Sequence, residues 1–329
     1  MSKVLTTNNK IGRTAGKSQF KVGLILSLLL VGYYHNVSAE IEWSVETGYR
    51  SDFLQWSIAG PNNTPNIISE LTWRNLDIVQ TKTGINYRNR RFDVGAEIGY
   101  GKIYNGDNQD SDYAGDDRTL EFSRSNNQSN GDNVYDINTW LGIVIDTPAK
   151  PAVRFIPMLG YSGHIQRLRM TDGVQTVSEP NYLQPGEYNP VPLGPFSGLN
   201  STYKSRWHGP WLGAKFLLPV TRRLTLVPRF EKHWAHYYAE ADWNLRKDFS
   251  HPKSYEQDTV SKGLVLSLLT EYSVSRPLHI YLDVNYQKWV AAAGSSYFFF
   301  DNGDSATVHL NGVSWKSYAV NLGLKIKIN

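Results

Sequence analysis

Residues 318–328 read Tyr-Ala-Val-Asn-Leu-Gly-Leu-Lys-Ile-Lys-Ile, an apolar side chain at every second position. Residues 278–287, Leu-His-Ile-Tyr-Leu-Asp-Val-Asn-Tyr-Gln, repeat the alternation with polar side chains between the apolar ones. The same rhythm appears in residues 41–49, 92–100 and 224–234. A period of two residues predicts β-strands with one face in an apolar medium and the other in a polar one.

The connections between these stretches alternate in length along the chain. Short ones lie near Asn89-Arg90, Pro148–Lys150, Thr221-Arg222 and Ser275–Pro277, and long polar ones span 60–66, 104–132, 171–203, 244–258 and 293–311. Short turns at one rim and long loops at the other are typical of outer-membrane barrels, whose apolar faces contact lipid. We therefore predict an all-β, transmembrane antiparallel up-and-down β-barrel in the cell outer membrane, with about ten strands. The expected strands are 41–59, 67–87, 91–104, 133–146, 152–171, 204–219, 223–243, 258–274, 278–292 and 312–328.

The first 39 residues have the composition of a secretory signal peptide. A basic segment without acidic residues precedes the apolar run Val22–Val31, and Val37-Ser38-Ala39 offers small residues for cleavage. The barrel domain is then expected to occupy residues 40–329. Removal of the signal peptide takes away five of the 34 Lys and Arg residues. The mature chain then has 29 Lys and Arg against 30 Asp and Glu, a net charge of about −1. This balance gives no reason to expect a nucleic-acid partner.

The sequence gives no strong indication of a metal or other cofactor, and we predict none. His233 and His236 are three positions apart on one expected strand, so their side chains point to opposite faces. The acidic run 107–112 lacks the glycine and the closing glutamate of a calcium-binding loop. The chain also has no cysteine, so a closed hydrogen-bonded ring is the expected source of its stability.

Several short segments occur in an order that resembles the omptins, outer-membrane endopeptidases built on ten-stranded barrels. They are Ser69-Glu70-Leu71-Thr72-Trp73, Gly84-Ile85-Asn86-Tyr87 and Gly323-Leu324-Lys325. Asp110-Ser111-Asp112-Tyr113, in the second long loop, resembles the Asp-x-Asp half of the omptin catalytic site. The resemblance implies that Asp110 and Asp112 are catalytic, opposite an Asp-His pair whose imidazole acts as the general base on a water molecule.

The other half of the omptin site is not conserved in residue type. Its Asp-x-His falls on Ala241-Asp242-Trp243, where alanine cannot orient a base and tryptophan cannot act as one. Asp242 points outward unless a bulge intervenes. The nearest substitute for the imidazole is His251, with Asp248 three residues before it. We therefore expect a half-preserved peptidase site that is inactive or altered.

Charged side chains are also expected on the inner faces of the strands. Arg229, Glu231 and His233 are predicted to form one network in the lumen. Ten strands lie near the narrow end of the barrel series, so we expect a packed polar lumen in which charges of both signs pair.

Two other functions remain open from the sequence. The chain also resembles the Protochlamydia-type outer-membrane barrel proteins, which implies a narrow porin for small solutes. The Pro- and aromatic-rich loop 171–203 is compatible with an adhesin. The expected partners are outer-membrane lipid, lipopolysaccharide through Arg167 and Arg169, and a peptide substrate for any remaining peptidase activity. We expect a monomer.

Overall fold

The computed structural model describes residues 39–148, 153–184 and 190–328, so the expected signal peptide lies outside the described residues except for Ala39. The chain forms fourteen β-strands and three 3-10 turns. The strands are β1 Glu40–Ile58, β2 Ser69–Arg88, β3 Phe92–Tyr113, β4 Glu121–Gln128, β5 Asn133–Ile143, β6 Ile145–Asp146, β7 Arg154–Ser178, β8 Gly194–Pro195, β9 Ser201–Pro219, β10 Leu224–Asp242, β11 Tyr255–Ser273, β12 Leu278–Ala291, β13 Gly294–Phe299 and β14 Ser305–Ile328. The 3-10 turns are Pro61–Asn63, Asp116–Arg118 and Pro180–Tyr182.

The sheet closes on itself through its first and last long strands. β1 pairs antiparallel with β14 from Ile41 opposite Ile328 to Ile58 opposite Leu310. Every other long strand pairs antiparallel with its neighbours in chain order. β4 to β6 together fill one position of the ring, and β12 with β13 fill another, so the ring has ten positions. The predicted all-β antiparallel ring of about ten strands is confirmed.

The outer face of the ring carries a broad apolar band on the half nearest the short turns. Leu322 is 65% exposed and Ile85 is 56% exposed, and aromatic residues such as Trp43 and Tyr100 lie on the same face. Apolar side chains in such numbers face outward when the surrounding medium is lipid, with aromatic residues at its borders. Among the described residues, no helix has the length and hydrophobicity needed to cross a membrane.

Several strands extend well beyond the ends that the sequence predicts. β3 reaches Tyr113, β7 reaches Ser178 and β14 begins at Ser305, so the predicted loops 104–132 and 293–311 are largely strand, and the predicted loop 171–203 begins and ends in strand. The alternation continues in these extensions but with opposite polarity. In β1, for example, Leu54, Trp56 and Ile58 are buried inside the ring. We call this water-facing extension the upper barrel. It comprises residues 52–58, 69–77, 105–128, 165–178, 201–207, 236–242, 255–260, 294–299 and 305–316.

The interior is therefore divided, and the expectation of a polar lumen throughout is wrong for the upper barrel. The lower interior holds a polar cavity of about 460 Å³ that extends from Glu40 and Lys327 at the periplasmic end up to His164. The upper interior is a core of apolar and aromatic side chains, because its outer surface meets water and only its inner face can bury apolar groups.

A layer of three tryptophans separates the two parts of the interior. The ring centres of Trp207, Trp289 and Trp315 lie 5.7 to 6.1 Å apart, and each residue is completely buried. Trp289 and Trp315 are register partners on adjacent strands, whereas Trp207 reaches them from β9. Gly263 faces Trp289 from β11, and a Cβ there would lie 2.6 Å from the indole ring. The absence of a side chain at position 263 makes room for this layer.

Candidate functional site

The two aspartates expected in a loop lie instead on strand β3, in the mouth of the upper barrel. Asp110 is the register partner of Leu71, and Asp112 is the register partner of Ser69, both on β2. Leu71 is buried in the upper core, so the shared face of these pairs points into the ring. The earlier placement in a loop was wrong because the polar composition of residues 104–113 concealed a strand whose outer face is in water.

Each aspartate has a polar side chain beside it. Trp243 lies beside Asp110 and Ser69 lies beside Asp112, and each favours the ionised form of its neighbouring carboxyl group. The ring of Trp243 also packs against Tyr255, with 4.8 Å between the ring centres. The residue at the expected position of the omptin imidazole is therefore an indole beside Asp110.

Arg246 is the basic group that acts on both aspartates. Its guanidinium donates to both carboxylate oxygens of Asp248, at 2.8 and 2.6 Å, and lies 4.2 Å from the ring centre of Phe249. It thus reaches the mouth from the loop between β10 and β11, held by an ion pair and an aromatic ring.

The two carboxyl groups are shifted toward their protonated forms. Burial and the neighbouring Asp112 raise the pKa of Asp110 well above its ordinary value, against the opposing effects of Arg246 and the hydrogen bond from Trp243. Burial also raises the pKa of Asp112, against the hydrogen bond from Ser69 and the charge of Arg246. Two close carboxyl groups in a desolvated mouth resist joint ionisation.

The proposed substitute for the missing imidazole lies elsewhere. Asp242 follows the buried Ala241 without a bulge and is the register partner of Thr202, so it points outward. His251 pairs with this outward carboxylate, with 2.5 Å between Nδ1 and Oδ1. The expected partner Asp248 is engaged by Arg246 instead. The pair of Asp242 and His251 therefore lies on the outside of the ring.

These positions determine what the mouth can do chemically. An indole N–H donates a hydrogen bond but cannot accept a proton, so Trp243 cannot act as a general base. Asp110 and Asp112 retain the carboxyl half of an omptin-like arrangement beside an aromatic surface and a cation. The geometry provides hydrogen-bonding groups and charge, but no proton acceptor at the position opposite Asp110.

The three residues expected to form a lumen network do contact one another below the tryptophan layer. Arg229 forms an ion pair with Glu231, and Nε2 of His233 lies 2.9 Å from a carboxylate oxygen of the same Glu231. The other ring nitrogen of His233 is 3.0 Å from Oγ of Ser162 on β7, beyond the intervening strand β9. This last contact joins β10 to β7, so the network helps to hold the strands together.

Other charges of the lower interior are paired in the same way. Asp93 accepts from Arg88 and Lys215, each at 2.7 Å, and from the indole of Trp140 at 2.8 Å. Arg50 bridges Asp52 and Asp136. Within residues 39–148, 153–184 and 190–328, no cluster of three or more His, Asp or Glu side chains is arranged to hold a metal ion.

The sequence alone did not predict the tryptophan layer or a role in the site for Arg246 and Ser69. The layer could have been predicted, because Trp207, Trp289 and Trp315 occupy positions that alternation places inside the ring. Arg246 lies in a loop, and its approach to the aspartates depends on how that loop folds back.

A closed ring with an apolar lipid-facing band and a filled water-facing extension defines an outer-membrane β-barrel protein. The family model described as "Protochlamydia outer membrane protein" (Pom) matches residues 44–328, and the chain belongs to this family. The predicted outer-membrane location is thereby confirmed. No curated protein sequence matches the chain.

Among solved structures, the outer membrane protease OmpT from Escherichia coli has a TM-score of 0.72 at 15% identity, covering 90% of this chain and 99% of OmpT. This similarity confirms the omptin-like fold. The translocator domain of the autotransporter NalP from Neisseria meningitidis has a TM-score of 0.35 at 10% identity, covering 86% of this chain and 88% of that one. A FadL homologue from Pseudomonas aeruginosa has a TM-score of 0.29 at 7% identity, with 87% and 90% covered. The last two scores are too low to carry an argument.

We predict that Asp110→Asn stabilises the barrel at neutral pH. A carboxyl group whose pKa is higher in the folded than in the unfolded state destabilises the fold once it must ionise, and the cost disappears below the unfolded pKa. The asparagine keeps an oxygen that can accept from Trp243. The midpoint of urea unfolding in lipid vesicles should therefore rise at pH 8, and the difference from wild type should shrink toward pH 3.

The exposed Asp301→Asn, at a loop tip, is the matched control and should shift neither midpoint. A lower midpoint for Asp110→Asn at pH 8 would contradict the burial effect on this carboxyl group.

Proposed function

We propose that this chain is an outer-membrane surface protein of omptin architecture that does not hydrolyse peptides. The observation that supports this proposal is the indole of Trp243 beside Asp110, at the position where the resemblance to omptins requires an imidazole, while Asp242 points outward. The half of the site that retains the omptin residue types is the pair Asp110 and Asp112.

The filled interior supports a barrel that does not conduct solutes. The polar cavity is accessible from the periplasmic end, but above it Trp207, Trp289 and Trp315 cross the lumen. Beyond them the aromatic residues Trp56, Tyr203 and others continue the packing to the mouth. A narrow porin would need a water-filled passage at this level.

A second candidate function, surface contact, is favoured by the long loop between β7 and β9. Its second half is held against β7, because β8 pairs with Val174 and Gln175 and the amide of Phe196 donates to Gly173 at 2.9 Å. Leu193 is nevertheless 68% exposed on the water-facing side of the barrel. This exposed apolar side chain is available for contact with a partner at the cell surface.

For the peptidase activity, we expect the purified barrel to cleave fluorogenic peptides containing paired arginines no faster than Asp110→Ala. General acid–base catalysis contributes about 10²–10⁴-fold to such reactions, so an active site would be easily seen. A wild-type rate well above that of Asp110→Ala would disprove the proposal.

The double variant Ala241→Asp/Trp243→His restores the missing residue types and serves as the informative comparison. We expect it to gain slow hydrolysis that is lost again when Asp110→Ala is added. No gain would indicate that the aromatic packing of the mouth, in addition to the missing pair, prevents the reaction.

For solute passage, we expect no single-channel steps from the wild-type barrel in planar bilayers. The triple variant Trp289→Ala/Trp56→Ala/Tyr203→Ala removes aromatic side chains from the layer and from the packing above it, and it should produce small openings because the space left connects the cavity with the mouth. The control Trp234→Ala removes a lipid-facing indole and should remain silent. Regular conductance steps from the wild type would restore the porin hypothesis.

For surface contact, we expect Leu193→Ser to reduce adhesion of barrel-displaying bacteria to cultured eukaryotic cells. Leu120→Ser, on a different loop and 49% exposed, is the control and should adhere as the wild type does. Equal adhesion of all three would exclude a contact role for this loop.

A further inference from the structure

The lipid-facing wall of the barrel is not uniformly convex. A shallow groove of about 410 Å³ crosses β9, β10, β11 and β12 in the half nearest the periplasmic turns. Its floor is formed by small outward side chains and its walls by large apolar ones. The floor is Ala214 and Pro228, and the walls include Phe216, Phe230, Leu268 and Tyr286.

The groove is a property of the backbone and of side-chain size. Pro228 has no amide hydrogen, and the β9–β10 ladder passes from the pair of Leu226 and Leu218 directly to the pair of Arg229 and Lys215. Ala214 is the register partner of Phe230 and leaves the space beside that ring empty. A change of rotamer alone would therefore not fill the groove.

Cationic side chains lie at the periplasmic end of this same set of strands. The turn between β9 and β10 carries Arg222 and Arg223, and the turn between β11 and β12 carries Arg276, all exposed. Among the described residues, no carboxylate lies within salt-bridge distance of these three arginines. The guanidinium of Arg223 donates to the hydroxyl of Tyr272 at 3.4 Å, and its backbone carbonyl accepts from the amide of Ser273 at 2.8 Å.

The distance between the charges and the groove fits one lipid molecule. Pro228 is four residues from the start of β10, which corresponds to about 13 Å along an extended strand. One leaflet contributes about half of the ~30 Å hydrocarbon core. A headgroup at the turn would therefore place its acyl chain alongside Ala214 and Pro228.

We propose that this groove and its flanking arginines form a binding site for an anionic phospholipid of the periplasmic leaflet. The phosphate is held by Arg222 and Arg223, since guanidinium groups bind phosphate oxygens through paired N–H donors. One acyl chain lies in the groove against Pro228. The arginines alone would also suit an acidic periplasmic protein, but such a partner would have no use for a depression in the lipid-facing wall.

The site is tested by lipid retention on the intact barrel. The protein, purified in non-ionic detergent, is incubated with phosphatidylglycerol or phosphatidylcholine, and bound lipid is counted by native mass spectrometry. We expect clear preference for phosphatidylglycerol, and a loss of its affinity on the order of thirtyfold in Arg222→Gln/Arg223→Gln, since both guanidinium groups that hold the phosphate are removed. Arg90→Gln/Arg91→Gln, at a periplasmic turn away from the groove, is the matched control and should retain the lipid.

Substitutions that fill the groove distinguish lipid bound in the groove from lipid attracted only by the positive charge of the periplasmic turns. Ala214→Leu and Ala214→Phe should both lower phosphatidylglycerol occupancy while leaving the heat-modifiable folded band on gels unchanged. If one variant fails to fold, the other carries the test.

Four results would overturn the site. Three of them are equal retention of the two lipids, equal loss in the control turn variant, and full retention in a folded Ala214 variant. The fourth is displacement of phosphatidylglycerol from the wild-type barrel by a polyglutamate peptide but not by an excess of lipid A, which would assign the arginines to an acidic protein partner.

Discussion

The pairing of β1 with β14 is the constraint on which the rest of the structure depends. In the hydrocarbon region no water is present to satisfy a free amide or carbonyl, so a sheet can cross a membrane only if it has no edge. The pairing keeps one register from Ile41–Ile328 to Ser57–Gly312 and, after a β-bulge, ends at Ile58–Leu310, which removes that edge along the length of β1. Once the ring is closed, each side chain has only two directions available, inward or outward.

The surrounding medium then determines which residues occupy each direction. Beside lipid, apolar residues face outward, and the interior accommodates pairs such as Asp93 with Lys215. Above the lipid, water surrounds the ring, and the interior becomes the place where Trp56, Trp73 and their neighbours are buried. The carboxyl pair Asp110 and Asp112 lies at the top of this aromatic interior, which explains both its desolvation and the presence of Trp243 beside it.

The membrane-facing half of the fold is predictable from sequence because its apolar side chains face outward and its polar side chains face inward throughout. For that reason the lower ends of β12 and β14, at Leu278 and Ile328, were predicted correctly. The upper parts of β3, β7 and β14 were missed because their inward side chains, such as Val308 and Leu310, are apolar and their outward ones polar, the reverse of the pattern beside lipid. In the site, counting along β10 correctly places Trp243 near Asp110, since register is a property of the strand. The pairing of His251 with Asp242 was not predictable, because it depends on how the loop after β10 turns back.

The ten tryptophans include two groups whose fluorescence responds to different events in folding. Trp43 and Trp234 face the acyl chains, whereas the layer formed by Trp207, Trp289 and Trp315 is sealed from both lipid and water. Brominated acyl chains quench the first group as soon as a strand enters the bilayer. The second group changes its emission only when strands from opposite sides of the ring meet. Intrinsic fluorescence of this chain can therefore time membrane entry and ring closure as separate events.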